Sequence, residues 1–173
     1  KGCIPGIDES HELENYQNIQ LDHYIITPLP LSHDATSTLG FVIKGKDETI
    51  LYMTDTGYVS QKNMEYIKNL DYYIFESNHD IEMLMNTRRP LFLKNRIFGD
   101  KGHLNNEYSA HVMAQVIGEN TKEICLAHLS QEANTKEMAL DTYQRVFDEE
   151  HIYFDNIKIA DQKEIVSGGH YEN

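Results

Sequence analysis

"TILYMTDTGYVSQKNMEYIKNLDYYIFES" runs from Thr49 to Ser77, and its pattern changes twice. "TILYMTD" is an apolar run that reads as a strand. "SQKNMEYIKNL" reads as a short helix with Ser60 as its N-cap, and "DYYIFES" is again a strand. Upstream, "HYIITPLPL" and "GFVIKG" predict two more strands, while residues 1–20, with "GIDESHELENYQ", predict irregular or edge structure. Downstream, "HDIEMLMNT" predicts a helix of about two turns, Pro90 is placed to open "PLFLKNRIF", and "NNEYSAHVMAQVI" carries Ala110, Met113, Ala114 and Ile117 at helical spacing behind Asn105 or Asn106 as a cap. "EICLAHL" is a strand. "NTKEMALDTYQRVFDEEH" is the longest helix, with an expected apolar face of Met138, Leu140, Tyr143, Val146 and Phe147, before the closing runs "IKIA" and "EIV". Strands alternating with helices predict a layered α/β fold. No repeat, low-complexity tract or Gly/Ser linker divides the chain, so residues 1–173 read as a single domain.

Composition narrows the partners. A net charge of −13 works against nonspecific attraction to nucleic acid or anionic membranes, so an anionic substrate must be met locally. Arg88, Arg89, Lys94, Arg96 and Lys101 are five of the fifteen Lys and Arg, opposed within that span only by Asp100; they form either a solvated face or a phosphate-facing patch. Cys3 and Cys125 form no CxxC, which fits a reducing, cytoplasmic setting. No apolar stretch approaches the ~20 residues that span a bilayer, and no signal peptide is visible.

Four apolar runs end in one ionisable side chain each: His33, Asp55, Glu76 and His128. In open α/β sheets ligands bind just beyond strand ends, so the four are expected to converge on one pocket. Two histidines with one or two acids suit Zn(II) or a similar divalent ion, and the two oxygens of Asp55 allow it to bridge a pair. A single histidine at a strand end is ordinarily structural; four ends of one design favour a site. His103, in the loop "GDKGHLNNE", is equipped to move protons when paired with an acid such as Glu76. His79 reads as a helix-start or supporting group and His111 as structural. His11, His23, His151 and His170 have weaker claims.

"PLSHDA", "MTDTGYVS", "IFESNHDIEML", "GDKGHLNNE" and "LAHLSQEANT", in this order and spacing, resemble the YycJ/WalJ group of the metallo-β-lactamase superfamily, over nearly the whole chain from about Gly6 onward. The resemblance implies an αββα sandwich holding two divalent metal ions, zinc or manganese, and hydrolysis of phosphodiesters in DNA as an exonuclease. It makes His33, Asp55 and His128 metal ligands, with Asp55 bridging, and Glu76 with His103 a proton-handling pair. The basic cluster from Arg88 to Lys101 then lies beside the His103 loop, where it holds substrate phosphates.

One departure is large. The superfamily's HxHxDH signature lies N-terminal to these motifs, and no HxH occurs in the 173 residues. The remaining ligands give each metal about two protein donors, against the three that a catalytic zinc keeps. The chain therefore reads as the C-terminal portion of the fold. It is expected to self-associate or pair with an N-terminal portion, to bind metal weakly and to be inert alone. Two other readings compete: a non-catalytic binding module that keeps the fold, and an aspartic protease built on the Asp-Thr-Gly of residues 55–57, which needs a second such aspartate on a nearly all-β scaffold.

Overall fold

The computed structural model describes residues 13–169. Among them are strands β1 (Ile19–Leu21), β2 (Tyr24–Pro30), β3 (Leu39–Lys44), β4 (Thr49–Met53), β5 (Tyr72–Glu76), β6 (Glu123–Ala127) and β7 (Ile157–Ile159). The helices are α1 (Gln61–Tyr66), α2 (Ile81–Asn86), α3 (Leu91–Phe98), α4 (Asn106–Val116) and α5 (Lys136–Glu149). Cys3, His11 and His170 lie outside the described residues.

The strands form one sheet in sequence order. β1 to β4 are an antiparallel meander, in which short turns suffice; Gly45 N–H, for example, donates to Glu48 O (2.8 Å) between β3 and β4. From β4 to β7 the pairing is parallel, which needs crossovers, and the helices supply them. α1 and α4 start where their side chains predict, at Ser60 and Asn105, and α2 starts at Asp80 rather than His79; each of the three caps accepts a backbone N–H of the first turn.

Side chains alternate along each strand, so the sheet has two unlike faces. On one, Leu29, Val42, Leu51, Met53, Tyr73, Phe75, Ile124 and Leu126 are buried in a single cluster with Met64, Met113, Tyr143 and Phe147 of the helices. On the other, Phe41, Ile43, Ile50 and Ile74 are half-buried and Tyr52 is exposed, all outside that cluster. Among the described residues the architecture is thus one sheet with a helical layer on one side, which is half of an αββα sandwich.

Two sequence expectations change. α5 buries Ala139, Tyr143, Val146 and Phe147, whereas Met138 and Leu140 are exposed. At 100° per residue Met138 sits about 140° around the helix from Tyr143, outside any stripe centred there. The aspartic-protease alternative fails as well, because a half-parallel sheet with five helices is not the all-β scaffold it requires.

Candidate metal centre

β4, β5 and β6 run in one direction, so their C-terminal ends share one edge of the sheet. Asp55 follows β4, Glu76 is the last residue of β5, and His128 follows β6 directly. β2 is two antiparallel steps from β4 and points the same way, so the loop after it delivers His33 to the same edge. His103 arrives from the loop between α3 and α4. Asp55 Oδ1 lies 3.8 Å from His33 Nε2, 3.9 Å from His103 Nδ1 and 3.8 Å from His128 Nδ1. The five residues singled out in the sequence meet at one place.

Glu76 organises them from below. It is fully buried, and its Oε1 accepts His103 Nδ1–H at 2.8 Å and His128 Nδ1–H at 2.7 Å. Oε2 accepts the backbone N–H of Thr56 (3.0 Å) and of Leu104 (3.4 Å). Burial pushes this carboxyl up, but the two imidazole N–H groups and the Thr56 amide outweigh it and hold Glu76 below the usual carboxylate range. An ionised carboxylate can only accept, so both rings carry hydrogen on Nδ1 and keep the Nε2 lone pair free. The carbonyl of Gly102 does the same for His33 (Nδ1 to O, 3.0 Å), leaving its Nε2 towards Asp55. The Glu76 bond also pushes the His128 pKa up. Having no surface of its own, Glu76 works through the histidines and cannot itself touch a substrate.

Asp55 and His128 both have left-handed backbones, φ 62° and 60°. For non-glycine residues each costs about 1–3 kcal/mol and persists only where the surroundings over-determine it. Asn78 supplies part of that hold, its Nδ2–H donating to the His128 carbonyl at 2.7 Å.

Residues 4–129 match the β-lactamase superfamily domain. The chain belongs to that superfamily. It is 43% identical over 119 residues to Exodeoxyribonuclease YycJ of Bacillus anthracis, a match covering 69% of this chain and 45% of that protein. To Exodeoxyribonuclease WalJ of Streptococcus pneumoniae it is 42% identical over 109 residues, 63% of this chain and 40% of that one. The chain thus spans less than half the length of the curated relatives it matches. Among solved structures, the metallo-β-lactamase fold protein YhfI of Bacillus subtilis is similar in fold, with a TM-score of 0.62 at 17% identity, covering 86% of this chain and 51% of that one. So is a diphosphatase of the PhnP family, with a TM-score of 0.55 at 16% identity over 88% and 46% of the two chains.

The superfamily's fold implies divalent metal ions, and the residues present suit them. His33, Asp55 and His103 form one group of donors, and Glu76, His103 and His128 another, the donor atoms of each lying within 4.8 Å of one another. Ligands about 2.0–2.2 Å from a tetrahedral ion stand roughly 3.3–3.6 Å apart, so the 3.8 Å between His33 Nε2 and Asp55 Oδ1 needs only a small contraction, while His103 and His128, whose Nδ1–H groups are spent on Glu76, would ligate through Nε2. In the second group Glu76 already spends its oxygens on N–H donors, which makes it the support of the two rings.

Outside this superfamily site the other sequence candidates fare unevenly. His79 is fully buried, with both ring nitrogens lacking a hydrogen-bond partner among the described residues. His111 is half-exposed near Glu107 and Glu150, so the structural role expected of it is not that of a core residue. The basic cluster is less free than its local sequence indicates: Arg96 is paired with Asp34, Arg89 with Glu132 (2.9 Å), and Lys94 donates to the Met85 carbonyl. Arg88 and Lys101 are exposed. Sequence reasoning missed a buried amide network that ties the His103 loop to the His128 loop. Asn106 and Asn134 exchange amide bonds at 2.9 Å, Ser77 Oγ donates to Asn106 Oδ1 at 2.7 Å, and Asn134 Nδ2 donates to the carbonyls of Ser77 and Asn78. Asparagines this far apart in sequence carry no local signal of such a network.

Proposed function

We propose that this chain carries the C-terminal half of a metal-dependent phosphodiesterase that degrades DNA as an exonuclease. The observation that carries the reading is the convergence of three histidines within 3.9 Å of one Asp55 oxygen, above a buried, ionised Glu76. The naming of the relatives as exodeoxyribonucleases supports the substrate. His33, Asp55 and His128 would hold metal, zinc or manganese, two ions in the complete domain; a divalent ion there supplies charge neutralisation at the phosphate and an activated water. His103 is the proton carrier for the leaving oxygen. Glu76 fixes the ring with Nδ1–H and stabilises the imidazolium after it takes up a proton. The basic residues Arg88, Arg89, Lys94, Arg96 and Lys101 are read as the source of contacts to substrate phosphates, with Arg89 beside the histidines. A DNA substrate and a thiol at Cys125 that is free among the described residues support a cytoplasmic location.

Residues 1–173 are read as one partial domain, whose uncovered sheet face packs against an N-terminal portion and, in its absence, against a second copy. With two or three donors per ion the chain alone is inert. The test is to reunite it with an HxHxDH-bearing segment from a relative and to assay Zn(II)- or Mn(II)-dependent release of nucleotides from DNA. Activity that disappears in His128→Ala, with the fold retained, is the expected result. No activity after verified refolding and metal loading sinks the proposal in favour of a binding module.

A further inference from the structure

A cavity of about 300 Å³ opens beside the histidines, with Asn78, Arg89, His103, His128, Gln131 and Glu132 in its wall. Of the five basic residues between positions 88 and 101, Arg89 is the one that lines it. Arg96 is turned to Asp34 next to His33, and Lys94 to the Met85 carbonyl. The Arg89 side chain is 29% exposed, and its Nε donates to Glu132 Oε2 at 2.9 Å; the Glu132 side chain is 62% exposed. The cation is therefore anchored in the wall while its acid partner stands largely in water, where an exposed ion pair is weak.

A guanidinium presents a planar fork that matches phosphate as well as carboxylate, so an arriving phosphate can replace the carboxylate without leaving the cation unpaired. In a chain of net charge −13, an anionic strand needs a local cation, and Arg89 supplies one beside His103 and His128. We propose that Arg89 binds a backbone phosphate of a single strand lying in this cavity, and that Glu132 occupies the phosphate's place until the strand displaces it. The proposal rests on the nuclease reading and narrows its phosphate contacts to one residue with a built-in competitor.

The two partners give opposite expectations, which a merely structural ion pair would not. Binding of a 5′-phosphorylated single-stranded hexadeoxynucleotide to the 173-residue chain would be followed by fluorescence anisotropy in the presence of chelator. No cleavage occurs under those conditions, so the outcome does not depend on whether the complete protein is a nuclease. Arg89→Gln is expected to weaken binding about tenfold, the scale of a charge-assisted hydrogen bond. It should also reduce the slope of log affinity against log salt by about 0.7, the value of one lost phosphate contact on a single strand. Glu132→Gln is expected to tighten binding about threefold, the scale of one exposed ion pair. Arg89→Lys keeps the charge and should keep the salt slope, which also guards against a folding defect in Arg89→Gln. Weaker binding in both glutamine variants, an unchanged slope in Arg89→Gln, or no binding by the parent chain overturns the proposal.

Discussion

His79 buries an imidazole against the edge of the Phe98 ring, 6.3 Å away, without a hydrogen bond to either nitrogen among the described residues. Burial pushes its pKa down to about 4. The unfolded chain takes up this proton near pH 6.5, whereas the folded one refuses it until about pH 4. The contribution of His79 to stability is therefore complete above about pH 6.5 and is lost as the pH falls, by on the order of 3 kcal/mol at pH 4. His79→Phe should flatten that part of the profile, as urea unfolding at pH 7.5 and pH 4.5 would reveal. Sequence reading left His79 between two supporting roles because nothing in "ESNHD" reports burial. Glu76 is the opposite case, since its place at a strand end and its pairing with His103 were legible but its hold on the second ring, His128, was not. Glu76→Gln leaves a neutral oxygen under His103 and His128. Isothermal titration with Zn(II) should record affinity about 10–100-fold weaker with the fold intact.

At the scale of elements, strands and helix starts were readable because their signals are local. Ser60 and Asn105 cap α1 and α4 as their side-chain chemistry predicts. The strand-end rule worked because β4 to β6 are parallel and β2 is in phase with them. The loop from 99 to 105 was only partly legible. Gly102 looks like a glycine that allows close approach, but what it approaches is the end of α3: an added Cβ would stand 2.1 Å from Ile97 O and 2.3 Å from Arg96 O. Since backbone atoms cannot swing away, Gly102→Ala should cost about 1–3 kcal/mol and displace the carbonyl that orients His33. A thermal melt lowered by several degrees, together with loss of the His33 Nδ1–H signal in imidazole nitrogen NMR, is the expected pair of results.

On the scale of the whole molecule, helices cover one face of the sheet only among the described residues, and on the other Tyr52 is exposed and Phe41, Ile43, Ile50 and Ile74 are half-buried. Apolar surface of that kind drives association. The chain alone should sediment as a dimer or larger, and Ile74→Lys should shift it towards monomer without unfolding it, because Ile74 lies outside the buried cluster. A monomeric parent chain in sedimentation velocity would count against an interface on that face. The sequence by itself determined the order of elements, the helix caps and the candidate residues at the strand ends, because hydrophobic period and capping chemistry act over a few neighbouring positions. It could not decide that Arg96 and Arg89 are paired to acids 62 and 43 residues away, or that two rings share one Glu76 oxygen. Those facts belong to the tertiary structure, because an ion pair, a tautomer and a buried amide network exist only once folding brings distant parts of the chain within about 3 Å of one another.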